Sequence, residues 1–456
     1  MRGISPTLRW VLGWSVVVMS SVFSSGASAQ TWSLATTLAR EGSPSDQSFG
    51  LNVATDGETI MVGAQSEASP ASNAGAVYVY TVEGSTQTQK IVLANQRTND
   101  QLGGSIGLLG DHAILGTKRI SGGFAVFFER RSGAWMEGQR FDARSASPDA
   151  SEGAFGNAVL MGRDLALVTA PKEKSDTGAV YVYAREGGTW TLRQRLEASD
   201  ATKSDFFGLG IALSGDTLAV GAPGNLLYPT ERGGVYVFER RSGSFVETAH
   251  LTFPEAGGPP DVAFGGSVAI DESTLAVGAA PGKMKGNGRV ILYSRAADTW
   301  QVAQSLSMPD EESFGVGVLL HRDTLSTRAS TGYTRGLHVF TRQAGMFAHV
   351  QRIEVDNPSM SIAGGAALYG GTLVIGLGYD MGGKAFVYRN ARLDAGAAAT
   401  DGGAGQGAES SASTSSQPGA GCSVSAPAAD RGAPSALLLL LLVAIPLILR
   451  RARLLA

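Results

Sequence analysis

Cysteine is nearly missing from this 456-residue chain, which holds one, Cys422. A lone thiol excludes an internal disulfide and any thiolate metal cluster. Charge is sparse too, at 17% of residues, with 37 Lys+Arg against 40 Asp+Glu and a net of −3. That balance lacks the basic footprint that a nucleic-acid partner requires. Sustained helical periodicity with caps is absent between residues 30 and 394. Short strands are therefore the expected building material. What the chain has in excess is glycine, 61 residues, about twice the usual share. Hydrophobics remain at 43%, enough for a large core. The length suits two or three ordinary domains or one large repeat-built domain.

The two ends read as addresses. Residues 1–29 combine Arg2 and Arg9, an apolar run from Trp10 to Val22, and Ala27-Ser28-Ala29. This is the pattern of a secretory signal cut between Ala29 and Gln30. Residues 395–434 are rich in Ala, Gly and Ser and form a spacer that contains Cys422. Residues 435–456 carry an apolar stretch to Leu449, followed by Arg450, Arg451 and Arg453. The apolar stretch reaches membrane-spanning length with its flanks, and the arginines favour a cytoplasmic end. Residues 30–422 hold 37 − 6 = 31 basic and 40 − 1 = 39 acidic residues, a net of −8.

Seven copies of one unit lie between the ends. The unit is defined by Phe207-Gly208, then Gly215-Asp216 through Val220-Gly221-Ala222-Pro223, then Val235-Tyr236-Val237-Phe238. It recurs at Phe49, Leu102, Phe155, Phe264, Phe314 and, decayed, Ile362, at spacings of 53, 53, 52, 57, 50 and 48 residues. A glycine falls 14 residues after the anchor in five copies (Gly63, Gly116, Gly221, Gly278, Gly376), while Thr169 and Arg328 replace it in two. All segments are β-branched, aromatic and bounded by Gly, Asn, Asp or Pro, as strands are. The Gly-Asp connection suits a two-residue type II′ hairpin. A fourth strand begins with an aromatic residue (Trp32, Trp135, Trp190, Phe245, Trp300, Phe347) and reaches an apolar residue six positions on. Even spacing predicts that both ends of this strand share one sheet face.

The chain begins with a fourth-type strand, at Trp32, and ends with a three-strand set, at Tyr388. Pairing the two completes seven four-stranded antiparallel blades. The expected fold is thus all-β, a seven-bladed β-propeller over residues 30–394, closed into a ring by the N-terminal strand.

Phe-Gly, Val-Gly-Ala-Pro and Val-Tyr-Val-Tyr in this order resemble the FG-GAP repeat of the integrin alpha-chain propeller, over roughly residues 31–390. The resemblance implies a propeller that binds through loops on one face, with the Gly/Ala-rich strand after each Phe-Gly innermost. Calcium is not carried over, because no Asp-x-Asp-x-Asp run exists and the connection concerned is a two-residue turn. Spacer, Cys422, apolar run and Arg cluster resemble the MYXO-CTERM sorting tails of myxobacterial surface proteins. That resemblance implies cleavage near Cys422 and a lipid-bearing Cys422 as the membrane anchor.

No catalytic set emerges. Gly103-Gly104-Ser105-Ile106-Gly107 matches the nucleophile-elbow string, but it sits in the inner-strand register with no helix after it. His112, His250, His321, His338 and His349 are scattered and read as sheet-surface residues, since zinc needs three or four convergent ligands. No cofactor and no metal are expected. Acidic residues precede the Phe-Gly anchors at Asp46, Asp149, Asp200, Asp205, Asp261 and Asp310, in connections where binding residues concentrate. The competing reading is that they make local turns in water. The leading expectation is an exported, cell-surface-tethered, non-catalytic adhesion module that recognises an extracellular protein or glycan. Two alternatives are an extracellular hydrolase or lyase using acidic loops at the channel mouth, and an envelope protein that packs against its own copies.

Overall fold

A computed structural model describes residues 31–40, 48–68, 70–117, 122–146, 153–224, 233–254, 262–281, 287–309, 311–331, 334–354, 365–378 and 383–393. Its 28 strands form seven four-stranded antiparallel sheets. Blade one runs from Phe49 to Ile91, blade two from Leu102 to Asp142, and blade three from Val159 to Leu196. Blade four runs from Gly210 to Thr252, blade five from Val262 to Leu306, and blade six from Glu312 to Glu354. Blade seven takes Ala366–Tyr369, Thr372–Leu377 and Lys384–Arg389, and its fourth strand is Ser33–Leu38 from the opposite end of the chain. The register is Leu34 with Tyr388, Thr37 with Phe386 and Leu38 with Ala385. The ring closes as the strand count requires.

Phe-Gly and the distant glycine are two halves of one contact. The anchor side chains Phe49, Leu102, Phe155, Phe207, Phe264 and Phe314 are fully buried, each contributing about 2–3 kcal/mol by removal from water. The glycine after each anchor has φ between +83° and +95°, a region that other residues enter at a cost. Its carbonyl points into the preceding blade. A β-carbon at Gly63 would lie 2.3 Å from the oxygen of Gly103, one at Gly221 1.8 Å from that of Gly265, and one at Gly376 1.8 Å from that of Gly50. The last of these is the junction between blades seven and one. Neighbouring first strands approach closely all round the ring, so the Gly-rich strands are innermost, and the glycines make that approach possible.

The core is divided among the junctions. Seven apolar clusters each draw on two adjacent blades. The cluster of Leu38, Val53, Val62, Val374 and Val387 joins blades seven and one.

One expectation fails. The aromatic start and apolar end of each outer strand do not share a face. A one-residue register shift interrupts the outer strand in every blade. In blade three Leu192 pairs with Tyr183 but Gln194 pairs with Val182, leaving Arg193 as the extra residue. This bulge reverses the alternation. Trp190 consequently packs in the junction with blade two, and Leu196 in the junction with blade four.

Two four-residue helical turns, Ala143–Ala146 and Glu173–Asp176, interrupt the strands. No helix among the described residues is long and apolar enough to cross a membrane.

Candidate functional site

The connections divide the ring into two unlike faces. On one face, first and second strands are joined by two or three residues, as between Leu109 and His112 or Ser214 and Thr217. Third and fourth strands on that face are joined by two residues in blades two to six, as between Arg241 and Ser244, and by five in blade one. Positive φ at Gly110 and Gly215, but not at Asp111 or Asp216, fits the type II′ expectation. The opposite face carries the long connections, for example Ala64 to Ala76, Asp142 to Val159, Leu196 to Gly210 and Ala222 to Gly234.

In four blades the roots of these long connections are held by one device. The middle residue of the third-strand motif pairs across the sheet with a cationic or imidazole side chain: Tyr78 with Lys90, Tyr181 with Arg195, Tyr236 with His250, and His338 with Arg352. An acidic residue from a loop closes each set. Glu67 accepts from Tyr78 at 3.1 Å and from Arg40 at 2.6 Å. Glu173, buried at 1% exposure, accepts from Tyr181 at 2.6 Å and Arg195 at 2.7 Å. Asp200 accepts from Tyr236 at 2.6 Å and lies 3.4 Å from His250 Nδ1. Glu311 lies 2.9 Å from Arg352 Nε and 3.2 Å from His338 Nε2. Burial, reinforced by the carboxylate, holds the Tyr181 and Tyr236 phenols far above their ordinary range, so both remain donors.

Asp200 therefore ties a loop to blade four, although its side chain keeps 57% exposure and one open edge. Asp205 closes a local turn: its carboxylate accepts from the Thr202 backbone and, at 2.7 Å, from the Thr202 hydroxyl. Asp46, Asp149, Asp261, Asp310, Ala29, Gln30 and Cys422 lie outside the described residues. Ser105 is no nucleophile elbow. It is buried and donates to the Gly156 carbonyl at 2.7 Å, stitching blade two to blade three. His321 and His338 are buried, so the surface reading of the histidines fails for these two.

Blade three presents the most strained loop. Lys174, Ser175 and Asp176 all have φ between +49° and +66°, a left-handed turn that costs about 1–2 kcal/mol per residue. Its base is the buried Glu173, and Lys174 reaches Glu197 at 2.8 Å. Such strain persists only where the surrounding contacts hold it.

Two repeated systems escaped the sequence reading. Gln89, Gln139, Gln194, Gln304 and Gln351 each clasp the backbone of the next outer strand's aromatic residue with both amide atoms. For Gln194 and Phe245 both bonds are 2.8 Å. Gln351 clasps Trp32 at 2.9 and 2.7 Å, which adds a second tie to the N-terminal strand. The signal was visible as an aromatic residue followed four positions later by Gln, at 135/139, 190/194, 300/304 and 347/351. On the turn face, Arg130, Arg185, Arg240, Arg295 and Arg342 each reach back to the preceding blade. Two grooves of about 390 and 160 Å³ open beside Arg130 and Arg342, at equivalent positions in two junctions. Among the described residues no group of three or more His, Cys, Asp or Glu is arranged to hold a metal ion.

The class is thereby defined: a seven-bladed β-propeller with short turns on one face and anchored loops on the other. Residues 32–80 and 190–238 match the family model of the FG-GAP repeat. Each match begins on the outer strand of one blade and ends on the third strand of the next, so the sequence unit straddles two blades. No curated protein matches the chain. Among solved structures, a Bacteroides uniformis protein described as a candidate 6-phosphogluconolactonase superposes with a TM-score of 0.47 at 11% identity, covering 71% of this chain and 91% of that one.

Proposed function

We propose that this protein is an exported, surface-held recognition module whose long-loop face engages an extracellular protein or glycan. The observation that carries the reading is the asymmetry of the two faces, with four carboxylate networks, three of them on buried carboxylates, fixing the roots of the long loops. Loops on a rigid scaffold are the usual place for recognition, and fixed roots reduce the entropy lost on binding. Export rests on the pattern of residues 1–29. Tethering rests on residues 395–456, with Cys422 as the lipid-bearing or tail-anchored point.

The test is a screen of the processed protein, purified from the envelope fraction, against immobilised glycans and extracellular proteins. For the retained ligand, S175P and D205A on the loop face should weaken binding at least tenfold. The turn-face variants S242A and A344S should leave it unchanged. The reverse pattern, or turnover of a polymer without retention, contradicts the proposal. Mass spectrometry of the same preparation should show Gln30 at the N-terminus and a modified Cys422.

A further inference from the structure

Two of the five histidines meet. His338 lies on the third strand of blade six and His349 on its outer strand, with His338 Nδ1 3.1 Å from His349 Nε2. The bulge creates this contact. Val339 pairs with Gln351 but Phe340 pairs with His349, so Val350 is extra and His349 turns onto the face that carries His338. An unbroken ladder would put His349 on the opposite face.

The surroundings prepare His338 as a ligand. Glu311 Oε1 lies 3.2 Å from Nε2 without hydrogen-bond alignment; its charge favours the proton on that nitrogen and leaves the Nδ1 lone pair facing His349. Arg352 Nε lies 2.9 Å from the same carboxylate oxygen and also pairs with Glu354, so the cation is neutralised. The ring of Phe314 stands edge-on to His338, with centroids 5.9 Å apart, and the ring of Phe340 stands 5.2 Å from His349. His338 is buried while His349 is exposed, so the pair has a dry back and an open front.

We propose that His338 Nδ1 and His349 Nε2 bind one borderline divalent transition metal of the Zn, Ni or Cu class, with water in the remaining positions and Glu311 as the carboxylate behind the first ligand. Metal–nitrogen bonds of about 2.0–2.1 Å place two ligands about 2.9–3.4 Å apart, from square or octahedral to tetrahedral geometry. The 3.1 Å separation falls within that range. On binding, the His349 proton moves from Nε2 to Nδ1, so neither ring gains or loses charge. A two-ligand set suits an exchangeable ion on a partly open site, not a structural one. The site stands apart from the loop-recognition reading and does not depend on it.

The experiment is a titration of the untagged full chain, first stripped with chelator, with CuCl₂ and separately ZnCl₂. One equivalent of Cu²⁺ should bind with two imidazole nitrogens in its pulsed EPR spectrum, and Zn²⁺ should compete for it. H349A, an exposed substitution with unchanged melting temperature, should lose that equivalent, while H112A should retain it. E311Q should weaken binding ten- to a hundredfold. No stoichiometric uptake, or an equivalent that survives in H349A, would overturn the proposal and leave a hydrogen-bonded histidine pair. Unchanged affinity in E311Q would remove the carboxylate from the site.

Discussion

A methyl group is the difference between a closed and an open junction at Gly221, whose β-carbon would stand 1.8 Å from the Gly265 oxygen. Both atoms are backbone or fixed to it, so a blade must move. G221A should cost about 3 kcal/mol or more. G110A, where nothing lies within 4 Å and only the positive φ resists, should cost about 1 kcal/mol. Urea denaturation of the two variants checks the contrast. His321 makes a second residue-scale prediction. Burial, with Arg322 beside it, lowers its pKa to about 4, against an unfolded value near 6.5. The unfolded chain thus binds the proton first as pH falls. Stability should decline between about pH 6.5 and pH 4, by about 3 kcal/mol from this residue. H321F keeps the stack on Tyr369, whose ring centroid is 4.8 Å away, and should flatten that part of the pH–stability curve. An unchanged slope would show that His321 takes up its proton equally in the folded and unfolded chain. The buried Phe-Gly anchors were legible because they repeat. The burial of His321 and His338 was not, because single polar residues on strands carry no periodic signal of their own.

The outer strand contributes apolar side chains to both neighbouring junctions, and its bulge is the reason. Because the alternation reverses midway, Trp190 faces one junction and Leu196 the next. An unbulged strand would leave one of the two junctions without its apolar contribution. The glutamine clasps lie near the same point. Q194A removes two partly buried bonds of 2.8 Å each to Phe245 and should destabilise the protein by about 2 kcal/mol, read as a shift in the urea midpoint without a change in slope. Strand identity was legible from β-branched and aromatic alternation, whereas the clasp went unread although the aromatic-to-Gln interval marks it. The bulge was not legible, since an inserted residue leaves no mark in composition and only cross-strand pairing reveals it. The same holds for the candidate sites. Asp200 and Asp205 were singled out by position, but the tyrosine, cationic and imidazole partners that anchor the loops are set by register across the sheet.

At the scale of the whole molecule, the phase of the repeat decides the architecture. A unit that starts on one blade's outer strand and finishes on the next blade's third strand leaves one strand over at the start and one place empty at the end. Joining them removes the exposed edge and completes the apolar cluster between blades seven and one. The antiparallel order within each blade sets the long connections on one side, and closure gathers them into one rim, which is the basis of the recognition proposal. The direct measurement is a disulfide between T37C and F386C in a C422S background, because Thr37 pairs with Phe386 across the closing sheet. Air oxidation of the folded protein should give an intramolecular bond in nearly all molecules, located by mass spectrometry of the linked peptides. Two free thiols under native conditions, or links only between separate chains, would mean that the first strand does not complete the last blade.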